Sequence, residues 1–256
     1  MQEQKNNSFI APAIILAGFL IAVGIYFANK DDTSVTTNTN QEQTNTQQVS
    51  DTSHIRGNPN AQITIIEFSD TECPYCKMFQ TTMQTVINTY GKDGKVAWVY
   101  KHFPIDSLHS KSRKEAEATE CVYELGGNTA FWKMLDTIYA KTTSNNGLDA
   151  SKLPEFAKEA GVDVTDFNTC LSSGKYASLV ESNFQEGVSR GVNGTPYSAL
   201  SLKTALSSDA ETSILNFILK NNLSQYITIS SDKKEINLNG GLPIEVFKFL
   251  IETITK

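Results

Sequence analysis

From Ile10 to Ala28 the chain carries no charged side chain, and from Asp31 to about His54 almost no large apolar one; after Ile55 apolar residues return in short periodic runs. The first stretch has about the length a helix needs to cross a bilayer, roughly 20 residues. Pro12, Gly18 and Gly24 are tolerable in such a helix, and Tyr26 and Phe27 suit its interfacial end. No small-x-small cleavage site follows it, and no cysteine for lipid attachment. We therefore expect residues 1–30 to be a cytoplasmic tail and an uncleaved signal-anchor helix, with a cleaved signal peptide as the alternative. Lys5 and Lys30 place one positive charge on each side, so charge does not orient the segment. Residues 31–54, rich in Thr, Asn, Gln and Ser, cannot bury enough surface to offset ordering entropy. They read as a disordered linker, or as a segment that folds on a partner.

The rest, 55–256, alternates strand and helix periods. Ile63-Thr64-Ile65-Ile66-Glu67-Phe68 is a short β-branched run that reads as a buried strand. From Lys77 to Tyr90, Phe79, Met83, Val86, Ile87 and Tyr90 recur at helical spacing. Val96–Tyr100 reads as a second strand. Between about 107 and 191 the period is helical almost throughout. Breaks fall at Gly126-Gly127 and Gly161, caps at Asn128 and Asp149, and a last helix from Tyr176 carries Val180, Phe184 and Val188 on one face. Tyr197–Leu202 suits a strand. Ser208-x-x-Glu211 looks like a capping box opening a helix to Lys220. Tyr226–Ser230 and Glu235–Asn239 alternate like a hairpin, and a final helix follows Gly240-Gly241 and Pro243.

A net charge of −6 and the absence of a basic patch interleaved with aromatics give no hint of nucleic-acid binding, and no Gly-rich phosphate loop is present. The chemistry lies in the cysteines. Cys73-Pro74-Tyr75-Cys76 falls where the first strand turns into a helix. A CxxC alone is also half of a zinc site or a structural disulfide. At a helix N-terminus, however, free N–H groups and the dipole stabilise a thiolate, the nucleophile of disulfide exchange. Cys73 is then the attacking sulfur and Cys76, one turn in, the resolving one; Pro74 suits the first helical position. Glu67 shares a strand face with Ile63 and Ile65. It reads as a proton acceptor and donor for the buried thiol, with desolvation raising its pKa, or else as an edge-exposed or salt-bridged acid. Cys121 and Cys170 can bridge and staple the helical region. Two buried free thiols, or a zinc site using all four cysteines, are the other options. His102 could act as a base, but a histidine after a strand is more often solvent-facing or structural; His54 and His109 show no partner pattern. The X-Pro bond Thr195-Pro196 is a candidate cis peptide, although Asn193-Gly194-Thr195 is also a sequon.

Together these features resemble the DsbA-like thiol–disulfide oxidoreductases of the thioredoxin superfamily. The carriers are Glu67-Phe68-Ser69-Asp70, Cys73-Pro74-Tyr75-Cys76, the helical insertion, Gly194-Thr195-Pro196 and the Gly-rich turn before the last helix. Lys101-His102-Phe103-Pro104-Ile105, Glu115-Ala116 with Cys121, and Phe167-Asn168-Thr169-Cys170-Leu171 look like its membrane-anchored branch. The resemblance covers roughly residues 55–200 and 232–256. It implies an α/β thioredoxin-like fold with an inserted helical subdomain, and catalytic roles for Cys73, Cys76 and Glu67. It also implies substrate binding at Thr195 and Pro196, with no metal or organic cofactor. The implied partners are reduced or misoxidised client proteins and a membrane redox partner, DsbB-like or VKOR-like, that reoxidises the pair. The catalytic domain would face an oxidising space outside the cytoplasm, on a single membrane span. Two departures stand out. Pro-Tyr replaces the Pro-His of the strongest oxidants, and residues 203–225 are extra, either shaping partner choice or embellishing the surface.

Overall fold

The computed structural model describes residues 54–256. The anchor and all of the linker but its last residue lie outside the described residues. That residue, His54, opens the first strand instead of closing the linker. Six strands form one sheet in the order β1–β3–β2–β4–β6–β5: β1 His54–Gly57, β2 Ile63–Ser69, β3 Val96–His102, β4 Tyr197–Leu202, β5 Ile227–Ile229 and β6 Glu235–Asn239. β2 and β3 run parallel across α1 (Pro74–Tyr90), and the other pairings are antiparallel. β1 has no periodic signature of its own. Its four residues become a strand only by pairing with Ala97–Tyr100 of β3.

Alternation along β2 divides the core between the two faces of the sheet. Ile63 and Ile65 join Trp98, Tyr100, Leu200 and Ile236 under α1 and the last helix, α7 (Ile244–Ile254). Ile66 and Phe68 face the other way, against Phe103, Val192 and Phe184.

Between β3 and β4 lies the helical insertion. Its long helix α2 (Ser112–Lys141) is kinked at Gly127, whose φ of 70° a residue without a Cβ tolerates. Asn128 donates its side-chain amide to the Ile55 carbonyl, tying the kink to β1. A short turn capped by Asp149 leads into α3 (Leu153–Ala160), which stops at left-handed Gly161. α4 (Val164–Ser173) is capped by Asp163. Cys121 on α2 and Cys170 on α4 are joined by a disulfide within a separate core of Val122, Phe156 and Phe167. α5 (Ala177–Ser189) covers the second face of the sheet. Val188 is not on its buried side, since it stays 47% exposed. Gly187 takes that place, and a Cβ there would stand 2.6 Å from the Phe103 ring. The helix sits too close to the sheet for a side chain at that position.

The extra segment also departs from expectation. α6 (Ser208–Lys220) is capped by Ser207, one residue earlier than the capping box implied, and its Oγ accepts from the Ala210 N–H. Nor is it surface embellishment. Ile214 and Ile218 are buried in the main core, and Phe217 stacks on Phe249 of α7 at 3.9 Å between ring centroids. Among the described residues no helix is long and apolar enough to cross a membrane.

Candidate active site

The end of β2 delivers the chain to Cys73-Pro74-Tyr75-Cys76 through four buried polar residues. Asp70 accepts from the Glu72 N–H at 2.9 Å, from the Ile105 N–H at 2.7 Å and from His109 Nδ1 at 2.9 Å. The Glu72 carboxylate accepts from the N–H groups of Gly147 and Leu148 and from the Thr142 hydroxyl. It thereby holds a loop in which Ser144, Asn145 and Asn146 all have positive φ. Glu115 accepts from Thr71 Oγ at 2.6 Å, and burial lifts its carboxyl to about 8. Asp70 and Glu115 stood among the carriers of the resemblance, but no network role was assigned to any of these residues from the sequence. The available signal was the acidic run Asp70-Thr71-Glu72 at a strand end that should be buried.

Cys73 then caps α1 with an extended backbone, and Pro74 fills the first helical position. Its sulfur lies 3.5 Å from the Thr195 carbonyl, across the cis Thr195–Pro196 bond. The two cysteines are free thiols of opposite character. A hydrogen bond from the Cys76 thiol, helped by Thr195 and the backbone N–H groups of Tyr75 and Cys76, holds Cys73 down at about 6 against the opposing effect of burial. Burial, with the neighbouring Cys73 charge, pushes Cys76 well above its ordinary value. Cys73 is therefore the thiolate near neutral pH and Cys76 the protonated partner. Tyr75, 63% exposed, and Met78 flank the pair at the surface. A third wall comes from Gly241, beside Pro196 and the Tyr75 carbonyl, while the Gly240 N–H donates to the Pro196 carbonyl.

Glu67 is fully buried on the α1 side of the sheet, neither edge-exposed nor salt-bridged. Trp98 Nε1 donates to its Oε2 at 2.9 Å, and Oε1 has no partner. Burial raises its carboxyl to about 7, outweighing the opposing effects of the nearby Ser69 hydroxyl and of Trp98, and its charge acts on Cys76. The neutral acid is thus the form the fold prefers. Its stabilisation is complete below the unfolded value of 4.5 and is lost as pH rises through about 7, a change worth about 3 kcal/mol. Urea unfolding at pH 5 and pH 8 should show that loss in the wild type and a smaller one in Glu67→Gln. Glu115, raised in the same direction, keeps part of the slope. An identical pH dependence in the two proteins would count against the buried, raised Glu67.

His102 takes the structural place that its position after a strand allowed, rather than a solvent-facing one, and His54 and His109, which showed no partner pattern, both have buried partners. His54 and His102 are buried, and both donate Nε2–H to Glu120 Oε1, at 2.7 and 2.8 Å. Burial alone would raise Glu120, but the bonds from His102 and His54 prevail and hold it at about 2. Burial also pushes His54 below its ordinary value.

A family model described as Thioredoxin matches residues 49–200, more than half of the chain. The chain belongs to the thioredoxin family. Solved structures with a similar fold include the thiol-disulfide exchange protein alpha-DsbA2 from Wolbachia pipientis, at 18% identity and a TM-score of 0.55, over 77% of this chain and 84% of that one. DsbA2 of Pseudomonas aeruginosa is 21% identical with a TM-score of 0.56, over 78% and 93%. Oxidised BdbD of Bacillus subtilis is 19% identical with a TM-score of 0.53, over 67% and 92%. These are likenesses of fold. They make this thioredoxin family member DsbA-like in architecture, with a helical insertion between the strands that lead to the CxxC and from the cis-proline. Curated relatives by sequence are named Na(+)/H(+) antiporter NhaA. The protein from Mycolicibacterium gilvum is 28% identical over 145 residues, and that from Herminiimonas arsenicoxydans 31% over 143. The chain spans about a fifth of their length, 22% and 21%.

Proposed function

We propose that this protein is a thiol–disulfide oxidoreductase that introduces disulfides into client proteins outside the cytoplasm. The observation that carries the reading is the asymmetry of the pair. Cys73 is held near 6 at the mouth of the site, and Cys76 is raised behind it. A stabilised Cys73 thiolate favours the reduced enzyme, which makes its disulfide a stronger oxidant, and it is a good leaving group.

The cycle follows from that asymmetry. With Cys73 and Cys76 joined, a client thiolate attacks the Cys73 sulfur and Cys76 leaves, taking a proton with Glu67 as donor. The client's second thiolate then attacks its own sulfur in the mixed disulfide, and Cys73 departs as thiolate. Two electrons pass from client to enzyme, and the client leaves with a disulfide. The backbone at Thr195 and Pro196 receives the client chain beside Cys73. A membrane redox partner, DsbB-like or VKOR-like, takes the electrons from the reduced pair. Residues 10–28 anchor the protein and residues 31–53 tether the domain above the membrane. We assign no antiport, because the antiporter relatives share only the matched stretch.

The direction of flow is tested by equilibrating the pair with glutathione. A reduction potential well above that of thioredoxin, about −270 mV, is expected. A value at or below it would instead make the protein a reductase or isomerase fed by a membrane donor.

A further inference from the structure

We propose that His54, His102 and Glu120 form a buried binding site for one zinc ion, separate from the redox pair. The three residues come from β1, the end of β3 and α2, and their ligand atoms, two imidazole Nε2 and one carboxylate oxygen, all lie within 4.8 Å of one another. Both imidazoles aim at the same oxygen, Oε1, rather than one at each, as side chains do when they converge on a point. Neighbours fix their directions. The His54 ring stacks on Phe131 at 3.5 Å between centroids, and Tyr123 meets its edge at 4.6 Å.

Ligands about 2.0–2.1 Å from a tetrahedral zinc stand roughly 3.3 Å apart. The present 2.7 and 2.8 Å nitrogen–oxygen separations would therefore have to open by about half an ångström, and the two imidazole nitrogens, now within 4.8 Å of each other, to settle at the same spacing. Two imidazole nitrogens and one carboxylate suit zinc, whereas calcium and magnesium take oxygen ligands. Three protein ligands leave one position for a water or for the second Glu120 oxygen. Each residue is at most 2% exposed, so the ion would enter as the protein folds or when the short edge strand β1 lifts. Once bound it would cross-link the strand by which the chain enters the domain to β3 and α2. No local motif announces such a site, because its ligands are spread along the chain.

The test uses the full-length protein in oxidised form, with all four cysteines in disulfides, so that no thiol competes for metal. It is folded with Zn²⁺ and dialysed. Elemental analysis is expected to find about one zinc per chain in the wild type and none in Glu120→Gln or His102→Gln, which conserve much of the hydrogen bonding. Dipicolinic acid should lower the wild-type unfolding midpoint by roughly 5 °C or more and leave both variants unmoved. Absence of zinc from the wild type, or equal retention by the variants, would overturn the site and leave a hydrogen-bonded staple. Should the variants fail to fold, the wild-type zinc content decides alone. None of these outcomes depends on exchange activity.

Discussion

Replacing Cys73 by serine is expected to abolish disulfide exchange with a reduced client, a loss on the order of 10³-fold or more, with the fold retained. Serine removes the thiol at the mouth of the site, and its hydroxyl cannot form the mixed disulfide. Cys73 lies at the N-cap of α1, where serine is a favoured residue, so stability should change little. Cys76→Ser should behave differently. Offered a client that already carries a disulfide, the Cys73 thiolate would attack it and displace one client thiolate, but the resolving thiol is gone, so mixed disulfides should accumulate as a client-sized shift on non-reducing gels. The pair of variants also separates chemistry from binding. If Cys73→Ser sustained function in cells, the groove beside Pro196 would be a peptide-holding surface and the exchange reading would fail.

Removing the Cys121–Cys170 disulfide has the largest expected effect on stability. The bond closes a loop of 49 residues, and the chain-entropy relation for that length gives about 4 kcal/mol. Both sulfurs lie in the core of the helical insertion, beside Phe167 and Val122, so the double replacement by alanine also loses some packing there. Urea unfolding of the Cys121→Ala/Cys170→Ala protein should show the loss as a lower midpoint. Cys73, Cys76 and Phe79 belong to a different core cluster, so exchange activity without denaturant should survive. A loss below about 1 kcal/mol would mean that the bridge does not staple the insertion.

The strands around the site, the CxxC at a strand–helix junction and the X-Pro before β4 were legible because each rests on local chemistry. A two-residue alternation, a four-residue spacing or a proline is visible in a window of a few positions. The insertion was legible as helices because apolar residues recur at helical spacing and are punctuated by Gly and Asp. Misreadings arose where the deciding contact is distant in sequence. β1 exists only against β3, and Gly187 rather than Val188 faces the sheet because Phe103 approaches there. α6 is core rather than ornament because α7 lies beside it.

By itself, then, the sequence determined the strand–helix junction at Cys73-Pro74-Tyr75-Cys76, the helical stretch after β3 and the X-Pro before β4, whose resemblance to a known family implied the thioredoxin-like fold. All are set by short-range patterning and by residue types with few alternative uses. Tertiary structure decided how far Cys73 and Cys76 diverge in acidity, that Glu67 is fully buried and that Glu72 holds the loop at 142–148. It also brought His54, His102 and Glu120 together. Those properties depend on desolvation and on hydrogen bonds between residues up to 122 positions apart, as for Cys73 and Thr195, and no local window contains both ends of such a bond.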